Sequence, residues 1–267
     1  MYKSKRILAI ASFFSAMYKY CAFIYPERDI DNFTVLLLQL SGARGPFGFI
    51  GTPHEIIRYL TVMLPELVLT FFLGRALYSS FCTGSVYVLS RHSKKKTWLA
   101  KELFELFYSI LFYFALTTGM ICGVAACINN IIPDRAAIIV ALLHIYIYAL
   151  WFFSQLVLYA LIAIKRGSSE AMLYTTGYYA VLLMICSFFA RMPEKQFFLE
   201  MNPISHMFLN WYDVSEIVEI IVNKHYITSW KVSVFYMLVY TMIVVTVCGR
   251  LICRDDMIIN DKEAGTI

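Results

Sequence analysis

Charge is scarce in this chain. Asp, Glu, Lys and Arg make up 15% of its 267 residues, where a soluble domain carries about 25%. Several chemical signatures are missing as well. There is no Gly-x-x-x-x-Gly-Lys-Ser/Thr loop, which excludes a phosphate-cradling ATPase site on this chain. Neither His-Glu-x-x-His nor Gly-x-Ser-x-Gly occurs, which removes the usual zinc protease and serine hydrolase sets. No Cys-x-x-Cys is present. The seven cysteines (Cys21, Cys82, Cys122, Cys127, Cys186, Cys248 and Cys253) lie mostly inside apolar segments. An odd count so placed argues against a disulfide framework or zinc site and for cysteine as a small apolar residue. No internal repeat and no low-complexity stretch is visible. No metal and no cofactor is expected on this chain.

What the chain has in quantity is apolar surface. Hydrophobic residues reach 60%, and mean hydropathy is +0.66. Water cannot solvate that surplus, so a lipid bilayer must. A spanning helix needs roughly 20 mostly apolar residues. Runs of that kind read as 7–24, 56–80, 99–124, 136–164, 172–190 and 230–252. The expectation is an all-α, polytopic membrane bundle of about six transmembrane helices, forming one domain over 1–267. The first run follows Lys3, Lys5 and Arg6 and contains Lys19. It lacks a clear small-x-small cleavage site and reads as a retained anchor rather than a signal peptide.

The net charge of +5 is a topology signal, not a nucleic-acid surface, because the basic residues cluster between apolar runs. With the N-terminus inside, the cytoplasmic segments hold Lys3, Lys5, Arg6, Arg91, Lys94, Lys95, Lys96, Lys101, Lys165, Arg166, Arg250, Arg254 and Lys262. The opposite side holds Arg28, Arg44, Arg58, Arg135, Arg191, Lys195, Lys224 and Lys231, spread over longer loops. Lys and Arg concentrate on the cytoplasmic side, so both termini are expected in the cytoplasm of a cell-membrane protein. Two outside loops follow, 25–55 and 191–229. The first carries Gly42, Gly45, Pro46, Gly48 and Gly51, read as sharp turns near the surface. In the second, Val214 to Val222 alternates apolar and charged residues as a short amphipathic helix would. Phe197, Phe198, Phe208, Trp211 and Tyr212 in the same loop suit a membrane interface. The expectation there is a re-entrant or interfacial helical hairpin.

From Leu73 to Phe107 the chain reads LGRALYSSFCTGSVYVLSRHSKKKTWLAKELFELF. The apolar run ends, Gly84 and Ser85 break it, a basic cluster follows, and Trp98 and Lys101 open the third span. A basic loop obeying the positive-inside rule accounts for Lys94, Lys95 and Lys96 by itself, but not for the whole ordered string. That string resembles the membrane subunits of type-2 ABC transporters, the exporter-like permeases. Members of that family carry a helical cytoplasmic segment after the second span, with a Gly-Ser or Gly-Thr step, a basic residue and a lysine entering the third span. Gly84, Ser85, Arg91 and Lys101 stand at those positions. Ser80 and Phe81 stand where the family often has a glutamate. The string MNPISHMFLNW, Met201 to Trp211, is similar to the Asn-Pro step of the family's last outside loop.

The resemblance implies a permease subunit that exports a peptide, lipid or other amphipathic compound. It implies two partners, a separate ATP-binding cassette ATPase and a second permease chain. The coupling segment would lie near 81–101, with Gly84, Ser85, Arg91, Lys94, Lys95, Lys96, Trp98 and Lys101 against the ATPase. ATP hydrolysis would then belong to the other subunit. Two other classes stay open: a non-transporting accessory, sensor or immunity protein, and an intramembrane enzyme.

The residues themselves add two intramembrane charges. Glu66 sits in LPELVLT beside Pro65, and Arg75 follows nine residues later. A charge at membrane depth is expensive and is by default a functional candidate. Nine residues is about two and a half helical turns, so the two point to opposite faces and do not pair directly. Both are candidates for a translocation pathway, with snorkelling to the surface the alternative for Arg75. Glu102 and Glu105 read as a solvated helix start rather than an acid–base pair. His144 reads as a hydrogen-bonded packing residue, because no second ligand stands at i+4.

Overall fold

A computed structural model of the chain describes residues 5–21, 33–40, 53–89, 95–129, 135–189, 192, 196–213 and 228–254. The described residues form an all-helical protein. Its helices are α1 (Lys5–Lys19), α2 (Phe33–Leu40), α3 (Pro53–Val62), α4 (Leu64–Leu89), α5 (Lys95–Asn129), α6 (Arg135–Arg166), α7 (Ser168–Phe189), α8 (Gln196–Glu200) and α9 (Trp230–Arg254). Two 3-10 turns, Ser205–Met207 and Leu209–Trp211, lie between α8 and α9. The only β feature among the described residues is one isolated bridge, Tyr212 to Thr228.

Four helices are long and apolar enough to cross a membrane: Lys96–Ile128, Ala137–Arg166, Ser168–Phe189 and Trp230–Ile252. They correspond to the last four of the six expected spans, and the protein is membrane-embedded. The first two expected spans are not among these four. Helix α1 has 15 residues, short of the roughly 20 that a bilayer needs. The second run is divided at Met63 into α3 and α4.

That division has a local cause. Proline has no N–H, so Pro65 cannot bond the carbonyl of Thr61 four residues back. The Tyr18 hydroxyl of α1 donates to the Thr61 carbonyl instead, at 3.1 Å. Helical bonds resume at once on either side, with Met63 N–H to Tyr59 O and Leu67 N–H to Met63 O.

Helix α6 is the axis of the bundle. Its middle is closed on all sides: Ile147, Tyr148, Ala149, Trp151, Leu156, Val157, Tyr159 and Ala160 are all buried. Helices α2, α4, α5, α7 and α9 pack around it. Against α4 the approach is very close, because a Cβ added at Gly74 would lie 2.5 Å from the Tyr159 ring. The turn from α6 to α7 is a single residue, Gly167, at φ 97°, a backbone region that side chains disfavour.

Helix α2 falls inside the segment expected as the outside loop 25–55. It is a buried helix, with Phe33, Leu36, Leu37 and Leu38 in the core. Eight residues cannot span a bilayer, which is why its apolar run passed as loop. The glycines of 42–51 lie outside the described residues. So do Val214–Val222 and the tail after Arg254.

Helix α4 also runs further than expected. Its backbone continues through Gly84 and Ser85 to Leu89, so that step does not break the helix. At the start of α5, Trp98 packs edge-on against Phe81 at 5.5 Å between ring centres, joining the end of α4 to the start of α5.

Candidate functional site

One set of buried polar residues gathers around a single carboxylate. Glu66 stands in the first turn of α4, just past the Pro65 interruption. Its Oε1 accepts from Lys19 Nζ of α1 at 2.5 Å, and both side chains are almost fully buried. Lys19 was read from the sequence only as a charge inside the first apolar run. Its partnership with Glu66 spans 47 residues, and no local spacing rule exposes a pair so distant. Two consecutive residues thus tie α1 to α3 and α4: Tyr18 caps the free Thr61 carbonyl, and Lys19 neutralises Glu66.

Four further elements close the chamber. Ser12 of α1 bonds the carbonyls of Leu8 (2.8 Å) and Tyr113 (3.3 Å), which seals α1 against α5. Tyr113 lies beside Ser15 and Thr117. From α6 come His144 and Tyr148, whose rings are 4.1 Å apart. From α3 and α7 come Tyr59 and Tyr179, with ring centres 6.4 Å apart and nearly parallel. The Tyr59 hydroxyl faces those of Tyr148 and Tyr179. These groups lie close enough to interact, yet few of their polar atoms meet hydrogen-bond geometry among the described residues. Glu66 Oε2, His144 Nδ1, Ser15 Oγ, Thr117 Oγ1 and the hydroxyls of Tyr59, Tyr148 and Tyr179 are buried with no partner among the described residues. A buried polar atom without a partner costs about 1–3 kcal/mol. A native core rarely keeps so many together.

Other expected site residues lie elsewhere. Arg75 is exposed on α4, nine residues from Glu66. Glu102 is buried and Glu105 half-buried. In the coupling segment, Lys96 and Lys101 are exposed, while Trp98 is half-buried against Phe81. Arg91 and Lys94 lie outside the described residues. For Gly84, Ser85 and Lys95 only the helical backbone is described. No group of three or more potential metal ligands occurs among the described residues.

The loop after α7 forms a second polar region of a different kind. Asn202 donates from Nδ2 to the Leu182 carbonyl (2.8 Å) and accepts at Oδ1 from Ile204 N–H (3.0 Å). Ser205 donates to the Leu199 and Asn202 carbonyls. His206 Nε2 bonds the Glu200 carbonyl and Nδ1 faces Ser233 Oγ, both at 2.9 Å. A carbonyl can only accept, so Nε2 carries the proton and Nδ1 accepts from Ser233. The ring lies flat on Tyr236 at 4.2 Å. Burial holds the His206 pKa below its ordinary value, and the bond to the Glu200 carbonyl opposes part of that shift. Tyr212 donates to the His206 carbonyl and Tyr236 to that of Met201. The described part of the segment packs against the bundle as one short helix and two 3-10 turns, while Val214–Val222, where the amphipathic helix is expected, lies outside the described residues.

Comparison of the chain with family models, curated proteins and solved structures finds no match.

Proposed function

We propose that this chain is the permease subunit of an ATP-driven exporter, crossing the cell membrane several times with both termini in the cytoplasm. It works beside a second permease copy and draws its energy from a separate ATPase chain. The observation that carries this reading is the projection of α4 and α5. With 35 residues, α5 is about 52 Å long, against about 30 Å of bilayer hydrocarbon. The start of α1, Lys5, sits beside Glu105 in one groove. Helix α5 therefore begins ten residues earlier, about 15 Å beyond the start of α1. Trp98 on Phe81 ties this projection to the end of α4. Lys96 and Lys101 are exposed on it. Two helix ends that reach past the start of α1, with Lys96 and Lys101 exposed on one of them, would give a closing ATPase pair something stiff to push.

The Glu66 chamber sits at the other end of that lever. It holds unpartnered hydrogen-bonding groups together with one charge pair that ties α4 to α1, so a shift of α4 relative to α1 must act on that pair. The cargo is an amphipathic compound, a peptide or lipid, and its path runs between two copies of the chain. An intramembrane enzyme and a non-transporting accessory protein are the competing classes.

The test is purification of the intact chain from its own membrane in mild detergent, with mass spectrometry and ATPase assay of the product. A cassette ATPase in one-to-one stoichiometry is expected. Charge reversal at Arg91, Lys94, Lys95, Lys96 and Lys101 should release it without unfolding the bundle. Absence of any ATPase, under conditions that hold comparable complexes together, rejects the transporter reading.

A further inference from the structure

A groove of about 200 Å³ runs between α1 and α5, lined by Lys5, Leu8, Phe104, Glu105, Tyr108, Ser109 and Phe112. Its walls are open to the surroundings of the bundle: Phe104 is 71% exposed and Tyr108 54%. The α1 and α5 helices run parallel here, from the pairing of Lys5 with the level of Glu105 to the Ser12 bond onto the Tyr113 carbonyl. That order sorts the lining by depth. Lys5 and Glu105 lie at the end where α1 begins. Leu8 lies just under one turn and Phe112 about two turns further along, toward the bilayer interior. Polar groups of both signs therefore gather at one end of an apolar furrow, at the level where an embedded helix meets lipid head groups.

We infer that the α1–α5 groove binds one phospholipid whose head group joins a phosphate to a primary ammonium. An acyl chain lies along Leu8, Tyr108 and Phe112. The Lys5 ammonium pairs with the phosphate, and the head-group ammonium donates to the Glu105 carboxylate, which has room for more than one donor. Charge complementarity selects this occupant among membrane lipids. An anionic lipid without an amine reaches Lys5 but brings net negative charge beside Glu105. A choline head group presents methyls, which cannot donate hydrogen bonds, so Glu105 gains only a screened attraction. A primary ammonium offers three N–H donors, and charge-assisted bonds of this kind are the strong ones. Basic residues near a membrane surface attract phosphate in general. The acid across the groove is what turns attraction into selection.

The experiment uses the full chain in nanodiscs of equal parts phosphatidylethanolamine, phosphatidylglycerol and phosphatidylcholine. The chain is then moved into lipid-free detergent, and native mass spectrometry identifies the lipid retained. One phosphatidylethanolamine per chain is expected, favoured about tenfold over the other two, the factor that one charge-assisted bond of ~1.4 kcal/mol supplies. Glu105→Gln should bring phosphatidylethanolamine and phosphatidylcholine to parity while a lipid is still retained. Lys5→Ala should lower retention of all three. Tyr108→Trp gives a second readout in chains that need not be stripped of lipid, since brominated phosphatidylethanolamine should quench the new fluorescence more than brominated phosphatidylcholine. Equal retention of all three head groups overturns the proposal. So does a preference that survives Glu105→Gln, or disulfide crosslinking of Phe104→Cys between two copies, which would make the groove a protein interface.

Discussion

Two buried polar regions share this bundle and are built on opposite terms. In the loop after α7, the side chains of Asn202, Ser205, His206, Tyr212 and Tyr236 all reach partners. In the chamber around Glu66, the one strong contact is Lys19, and seven polar atoms have no partner among the described residues. Both lie in apolar surroundings, where an unmet polar group is expensive. The first region has the character of structure: its bonds pin the turns between α8 and α9 to one another and to the Leu182 carbonyl of α7. The second keeps groups unmatched, and proteins hold that kind of arrangement where something is bound, moved or rearranged.

The comparison breaks most visibly at the ion pair. Removing one partner of a buried pair leaves a bare charge and costs about 3–5 kcal/mol. Lys19→Met or Glu66→Leu alone should therefore lower the detergent melting temperature by many degrees. The double change removes both charges, and replacement by apolar residues is close to neutral. If the double variant melts like the parent yet fails to transport, the chamber acts in function. If it both melts and transports like the parent, the pair is only a fastener for α1, and the contrast between the two regions collapses.

How much of this was legible in sequence depends on range. The four later spans follow from hydropathy alone, since each is continuous and carries charge only at its ends. The split at Met63 was half legible: Pro65 was visible, but that Tyr18 would take the freed Thr61 carbonyl was not. Helix α2 was hidden by its length, since an apolar run of eight residues says nothing about burial until α6 is beside it. Glu66 was singled out by cost, as a charge inside an apolar run. Its neighbours from α1, α3, α5, α6 and α7 meet only in the fold, and no periodicity in one helix announces a chamber assembled from five.

Single hydroxyls sharpen the contrast at smaller scale. Tyr212→Phe in the loop strips the His206 carbonyl of its donor and should cost about 1–3 kcal/mol by thermal unfolding. Tyr148→Phe in the chamber removes a hydroxyl that meets no hydrogen-bond geometry among the described residues, so stability should hold or rise while the proposed transport changes. Equal losses from the two substitutions would mean that the chamber hydroxyls are as structural as those of the loop. On the bundle surface, Arg75→Gln should shift stability by no more than about 0.5 kcal/mol, because the side chain is exposed and far from Glu66.

The smallest effect belongs to pH. His206 is buried neutral, its pKa held below the ordinary 6.5 by desolvation. The unfolded chain then binds a proton that the folded one refuses, so stability is full above pH 6.5 and declines as pH falls below it. Protonation would also force Nδ1 to donate toward Ser233, reversing the direction of that bond. Thermal unfolding between roughly pH 7.5 and 5.5, a window set by the ordinary histidine value, should show a decline that His206→Gln abolishes. Glutamine keeps an uncharged donor and acceptor, so its variant should lose a little stability at high pH and none further on acidification. A slope that persists in His206→Gln would assign the proton to another group and remove the loop from the pH response.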